Sequence, residues 1–227
     1  MDWTPKTKLG KMVLSGEIKS IDEILDRGIR ITEPEIVDYF LPNLQSELIL
    51  VGQMKGKFGG GQRRPYRSTK KTTAEGKRVK FTAYAVVGNG DGYIGLGWGS
   101  ARETLPAREK AVANAKKNLI KIKRGCGSWE CACASPHSIP VQVEGKEGSV
   151  RLVLMPAPKG IGLCINNECK KIMKLAGIKD IWSRSFGKTR TRINLVKACF
   201  DALKKLSKIK IRQDYYSKAG IKEGSLK

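Results

Sequence analysis

Between Lys55 and Lys80 the chain places ten Lys or Arg residues against a single acid, Glu75. Such a stretch cannot enter an apolar core, because an unpaired charge is too costly to take out of water. Cores must therefore form on either side of it, from segments with apolar periodicity. The same stretch holds Gly56, Gly59, Gly60, Gly61, Pro65 and Gly76. Gly and Pro at that density argue against regular structure, so residues 55–80 are predicted to be one long basic loop.

The whole chain has 227 residues and a formal net charge of +23, unevenly spread. Residues 1–47 are net −3 and residues 126–160 neutral, whereas 48–80, 81–125 and 161–227 carry +9, +5 and +12. Clustering of this kind implies a polyanionic partner, since like charge opposes compaction of a free chain. A basic enzyme using charge only for solubility explains the clustering less well. A membrane-surface role would need a basic amphipathic helix with a bulky apolar face, and the densest basic stretch is Gly-rich instead. No run approaches the roughly 18 apolar residues of a bilayer span. The opening Met1-Asp2-Trp3-Thr4-Pro5 lacks a charged-then-apolar secretion pattern. A cytosolic protein without a membrane partner is expected.

Periodicity predicts an α+β protein of two domains with extensions at both ends. Residues 1–47 read as small helices. Ser20-Ile21-Asp22-Glu23 is a capping box, Gly28 a stop, and Glu33-Pro34-Glu35 opens a second helix that Pro42 ends. Residues 48–125 read as the first domain. Leu48–Val51 is a strand, and alternation from Val79 to Val87 is another. Gly88-Asn89-Gly90-Asp91-Gly92 is a tight turn and Tyr93–Trp98 the return strand. Ser100-Ala101-Arg102-Glu103 is a further candidate capping box, before a helix whose face is Ala107, Ala111, Ala115 and Leu119. Residues 126–207 read as the second domain. Strands are expected at Ile139–Val143 and Val150–Leu154 around a Gly145-to-Gly148 turn, and again at Ile178–Ser183. Asn166 or Asn167 caps a helix ending at Gly177, and Ile193–Leu206 is a long amphipathic helix. Residues 208–227 read as a basic tail lying along a partner.

Catalytic signatures fail on context. Gly90-Asp91-Gly92-Tyr93-Ile94-Gly95 matches G-x-G-x-x-G, but between two strands rather than before a helix, where a pyrophosphate would sit. Gly187-Lys188-Thr189 mimics the end of a phosphate loop, yet Trp182 stands where its first Gly is required. The single histidine, His137, has no nucleophile pattern near it. Cys126, Cys131 and Cys133 with His137 could offer three sulfurs and a nitrogen to zinc. Their spacing is unlike a paired C-x-x-C knuckle, so no cofactor is expected and a small-residue loop with inert thiols is the preferred reading. Cys164, Cys169 and Cys199 are expected in cores.

The candidate binding residues are the cations. Lys55, Lys57, Arg63, Arg64, Arg67, Lys70, Lys71, Lys77, Arg78 and Lys80 form the main cluster. Arg forks grip phosphate bidentately, Lys acts as a point charge, and glycines let backbone amides approach phosphate oxygens. Phe58 and Tyr66 are placed either to stack on bases or to anchor the loop. Arg184, Lys188, Arg190 and Arg192 form a second cluster at a strand-to-helix junction, where the helix terminus also favours anions. Lys116, Lys117 and Lys159 complete the set. Dispersed cations on two α+β lobes, with no recognition-helix motif, suit irregular RNA better than uniform duplex DNA.

Several motifs in order carry a resemblance: Val86-Val87-Gly88-Asn89-Gly90-Asp91-Gly92-Tyr93-Ile94-Gly95-Leu96-Gly97, Ala111-Val112-Ala113-Asn114-Ala115-Lys116-Lys117-Asn118-Leu119, Pro136-His137, Met155-Pro156-Ala157-Pro158-Lys159-Gly160-Ile161-Gly162 and Leu175-Ala176-Gly177-Ile178-Lys179-Asp180. Together they resemble the family of the fifth small-subunit ribosomal protein, over about residues 48–206. The acidic front piece, Gly-rich insertion and Cys-rich linker resemble its archaeal form. The resemblance implies a first domain similar to a double-stranded-RNA-binding fold and a second with a βαβ crossover of left hand. It implies a non-enzymatic constituent of the small subunit in the cytoplasmic ribosome. Its partners would be small-subunit ribosomal RNA, the third and fourth small-subunit proteins, and mRNA near the entrance, with a part in translational accuracy. The same cations would also suit a free RNA chaperone or regulator. A small-molecule transferase using the second lobe would lack both a nucleotide loop and a base.

Overall fold

In the computed structural model, residues 3–54, 56, 62–131 and 133–225 are described. Lys55, Lys57 and Phe58 lie outside the described residues. The chain divides into two units, residues 1–87 with 95–119, and residues 88–94 with 120–227.

The first unit opens with three short helices, α1 (Lys8–Leu14), α2 (Ile21–Asp26) and α3 (Glu35–Phe40). The Ser20 hydroxyl accepts the Glu23 amide at 3.4 Å and donates to the Glu23 carboxylate at 3.3 Å. Gly28 then turns the chain at φ +67°. Leu9, Val13, Ile24, Ile36 and Val37 bury the inner faces of these helices. Helix α1 has no counterpart in the sequence reading, because it is only about two turns of mixed composition. Glu33 pins its start. That carboxylate accepts from the Trp3 indole at 3.1 Å and from the amides of Lys6 and Thr7 at 3.0 and 2.6 Å.

The sheet contains β1 (Gln45–Leu48), β2 (Arg67–Thr73), β3 (Gly76–Gly88), β4 (Tyr93–Ala101) and β5 (Leu119–Lys121), ordered β1-β3-β4-β5 with β2 paired to β3. Helix α4 (Thr104–Lys117) lies on it. Ala83, Ala85, Ala107 and Ala111 form the shared core, with Leu48, Tyr66, Phe81 and Val112 around them. The helix sits unusually close. A Cβ on Gly95, Gly97 or Gly99 would collide with the α4 backbone at Ala115 or Ala111. Glycine on alternate strand positions, facing alanine every fourth helical residue, is what lets backbone meet backbone.

Four expectations fail here. Residues 67–80 are not loop but an antiparallel hairpin, because β3 supplies a hydrogen-bonding ladder to the Thr-rich segment. The first strand ends at Leu48 rather than beginning there, and Ile49 follows as a single residue bonded to Tyr84. Ser100 belongs to β4, and α4 starts after Glu103 with no side-chain cap. Leu119 starts β5 instead of ending the helical face.

The second unit comprises β6 (Lys123–Arg124), β7 (Val143–Glu147), β8 (Val150–Pro156), β9 (Leu163–Cys164), α5 (Asn167–Leu175), β10 (Ile181–Phe186), α6 (Arg192–Lys208), α7 (Gln213–Lys218) and β11 (Lys222–Glu223). Its main sheet runs β7-β8-β10-β9, and β9–α5–β10 is a βαβ connection between parallel strands. Asn166 caps α5, accepting from the Glu168 amide at 3.1 Å, and Gly177 ends it at φ +78°. Helix α6 packs on β7 and β8 by the same device as α4. A Cβ on Gly145 would collide with Ala198 and crowd Ala202.

Here too the sequence reading needs correction. Ile139 is buried but lies in no strand, since Pro140 removes a ladder donor, and the strand starts at Val143. Gly145 is inside that strand, and the turn is at Gly148, φ +56°. The strand expected at Ile178 starts at Ile181, because Ile178 closes the α5 terminus through Met173. Cys169 and Cys199 are core residues, but Cys164 is exposed on the short β9. The tail folds back on its own unit. Strand β11 pairs antiparallel with β6, and Ile221 is buried.

The turn at 88–94 also belongs to this unit. The amides of Gly90 and Gly92 donate to Leu175 and Ala176 carbonyls at 2.9 and 3.2 Å. Those amides are therefore spent on the end of α5 and are not a phosphate cradle. Arg124 reaches Asp91 at 2.7 Å and the Gly224 carbonyl at 2.8 Å, tying the turn to the tail.

Gly97→Val should cost about 1–3 kcal/mol or more by overpacking, read as a lowered urea midpoint, while Gly56→Ala, with open space around it, should be neutral. Burial acts to raise the Glu33 pKa, but hydrogen bonds from Thr7, Lys6 and Trp3 outweigh it and hold the carboxyl below its usual value. The stability it adds is thus present above the unfolded-state pKa and lost as pH falls through the folded one. Hydrogen-exchange protection at Lys6 and Thr7, taken relative to the intrinsic rate at each pH, should fall on acidification, and at neutral pH in Glu33→Gln.

Candidate nucleic-acid interface

The β2–β3 hairpin turns the basic run into a ladder. Arg67 faces Thr82, Thr69 faces Lys80, Lys71 faces Arg78, and Thr73 faces Gly76. Alternation puts Arg67, Lys71, Arg78 and Lys80 on one face, with threonines between them. Lys70 and Lys77 lie on the other, beside Val79 and Phe81. All six cations are exposed. Lys71 opposite Arg78 is a like-charge cross-strand pair, which destabilises a free ribbon. Glu75 at the tip offsets part of this by pairing with Arg78. An anionic partner would relieve the rest of the repulsion.

At the hairpin base, Arg64 donates to Gln53 at 3.1 Å and accepts from Gly52 at 2.8 Å. Met54 and Arg63 form a β-bridge. Arg63 and Arg64 therefore flank the neck of the Gly-rich insertion. Tyr66 packs against the alanine core, so its role is to anchor.

Of the remaining cations, Lys116 is held by Asp38 at 2.7 Å and Arg192 by Glu168 at 3.2 Å. Lys117 is half-buried. Arg184, Lys188 and Arg190 are exposed at the end of β10 and in the turn before α6. Lys159 is exposed on the Pro-rich loop, whose Gly160 and Gly162 amides donate to Asp180 at 3.1 and 2.8 Å.

The second sheet shows residues that the sequence reading missed. On β10, Trp182 and Phe186, missed from sequence, alternate with the expected Arg184 onto the face away from α6, opposite Met155, Arg151 and Val153. The Arg151 guanidinium sits 4.6 Å over the Phe186 ring. Lys146 pairs with Arg151 on the same face. The aromatic–cation alternation in Trp182-Ser183-Arg184-Ser185-Phe186 was the available signal.

Cys126, Cys131, Cys133 and His137 do come together, with donor atoms all within 4.8 Å of one another. Burial pushes the Cys126 thiol up to about 11, while a hydrogen bond with Ser135 brings Cys133 down to about 6.

Residues 66–123 match the model of the ribosomal protein S5 N-terminal domain, and residues 145–214 that of the S5 C-terminal domain. The small ribosomal subunit protein uS5 of Nanoarchaeum equitans is 54% identical over 225 residues, 99% of this chain and 96% of the relative. The chain belongs to the ribosomal protein S5 family. The uS5 proteins of Methanospirillum hungatei (50% identical, covering 92% of this chain and 95% of the relative) and Methanocaldococcus jannaschii (46%, 98% and 96%) agree. The S5 N-terminal match begins at Tyr66, just past the Gly-rich insertion. The S5 C-terminal match covers both the βαβ connection and the open aromatic face.

Proposed function

We propose that this chain is a structural constituent of the small ribosomal subunit that binds its ribosomal RNA, works in the cytoplasmic ribosome, and catalyses no reaction. The observation that carries this is near-full-length similarity to small-subunit proteins uS5. Each unit holds exposed cations on its own packed frame. Phosphates bind the hairpin face of Arg67, Lys71, Arg78 and Lys80, with Lys70 and Lys77 behind it. Arg63 and Arg64 extend that surface, and Lys55 and Lys57 precede them in the sequence. Lys159, Arg184, Lys188 and Arg190 form the second patch. Lys116 and Arg192, already held by carboxylates, add field more than contact, and Lys117 follows Lys116 on α4. The helix-on-sheet packing of the first unit supports its reading as similar to a double-stranded-RNA-binding fold. Family resemblance supports the third and fourth small-subunit proteins as neighbours at the mRNA entrance, and a part in accuracy. No helix among the described residues is long and apolar enough to cross a membrane.

The experiment is RNA binding against salt. Each phosphate neutralised should add about 0.9 to the slope of log K against log salt on duplex, or about 0.7 on single strands. Replacing Arg67, Lys71, Arg78 and Lys80 together by Ala should weaken binding. It should also flatten the slope by one such increment for every phosphate the hairpin no longer grips. An unchanged slope removes the hairpin from the interface.

A further inference from the structure

We propose that Cys126, Cys131, Cys133 and His137 form a structural zinc site that fastens the segment leading into the second unit's main sheet. A tetrahedral site with Zn–S near 2.3 Å and Zn–N near 2.0–2.1 Å needs donors roughly 3.5–3.8 Å apart. The four donor atoms already lie within 4.8 Å of one another, and Cys131 Sγ is 4.0 Å from His137 Nε2. Small side-chain rotations close the remainder. All six cysteines are free thiols, so none of the three is committed to a disulfide.

The histidine is set for this purpose. His137 and Asp180 are 5% and 6% exposed, and His137 Nδ1 lies 2.9 Å from Asp180 Oδ2. The other oxygen of Asp180 accepts the Gly160 and Gly162 amides. Every one of these bonds uses Asp180 as an acceptor, which leaves Nδ1 as the donor. The lone pair of Nε2 then faces the sulfurs. A carboxylate behind a histidine in this way is the outer support that metal-bound imidazoles receive. A histidine needed only to fill a turn would not require it.

The backbone is also committed. Gly125 and Ser138 close the segment with a pair of bonds at 2.9 and 3.1 Å, and the Cys126 thiol donates to the Cys131 carbonyl at 3.0 Å. Ala134, between Cys133 and His137, is the one non-glycine residue at positive φ (+46°) among the described residues. A loop this short has no core of its own to hold that conformation, and metal bonds would supply the restraint. On binding, three thiol protons pass to solvent as three Zn–S bonds form, and Nε2 donates the fourth pair. Four protein ligands leave no open position, so the role is structural.

The test uses the full chain, purified reduced and without chelator. One zinc per chain by elemental mass spectrometry is expected, released by a thiol-blocking mercurial. Metal-free protein titrated with Co²⁺ should show tetrahedral visible bands and sulfur-to-cobalt charge transfer, both abolished by zinc. Asp180→Asn should weaken cobalt affinity about ten- to a hundredfold while keeping the thiolate spectrum. Cys131→Ser should lose part of the charge-transfer intensity. If Cys131→Ser does not fold, the wild-type cobalt spectrum decides alone. Folded, reduced wild-type protein with no charge-transfer band would overturn the site. So would a band that survives with all three cysteines replaced by Ser. RNA binding enters neither readout.

Discussion

Helix backbone lying directly on strand backbone is the contact on which both units rest. Gly95, Gly97 and Gly99 admit α4, and Gly145 admits α6. Close approach brings the small residues Ala107, Ala111, Ala115, Ala198 and Ala202 into full burial. Dense packing with few aromatic residues follows from this, because short side chains leave no space for larger ones. The exposed strand ends and loops then carry charge on a frame that does not yield. Mutual repulsion among the hairpin cations would otherwise splay them, since a two-stranded ribbon alone is marginal.

Asp180 links two features that the sequence keeps far apart. It orients His137 and holds the amides of the Lys159 loop at once. The carbonyl of His137 in turn accepts the amides of Lys179 and Asp180 at 2.9 and 3.1 Å. One side chain thus bonds both the histidine beside the cysteine cluster and the loop that carries Lys159.

Where local pattern and tertiary packing agree, the fold was legible. The capping box at Ser20, an asparagine cap at 166 or 167, the Gly177 stop and the alanine face of α4 all follow from residue chemistry alone. Failures cluster where a long-range partner decides. Thr-rich residues 67–73 become strand only because β3 supplies a ladder, and nothing local separates them from a basic loop. Ile139 looks like a strand residue because it alternates with Val141 and Val143, but its burial comes without a ladder. The cations of the candidate interface were legible as types and not as faces, since register fixes the face. The Cys and His ligand types were visible too, but their convergence needed the fold. Asp180 was visible only as the end of a motif.

Helix-on-sheet packing within each unit presents this charge to small-subunit RNA. The most direct measurement is sucrose-gradient sedimentation of an epitope-tagged copy after a high-salt wash, run beside the hairpin variant. The intact chain should travel with small subunits, and the variant should be stripped towards the top of the gradient. An intact chain that stays at the top, while small subunits sediment normally, would contradict it.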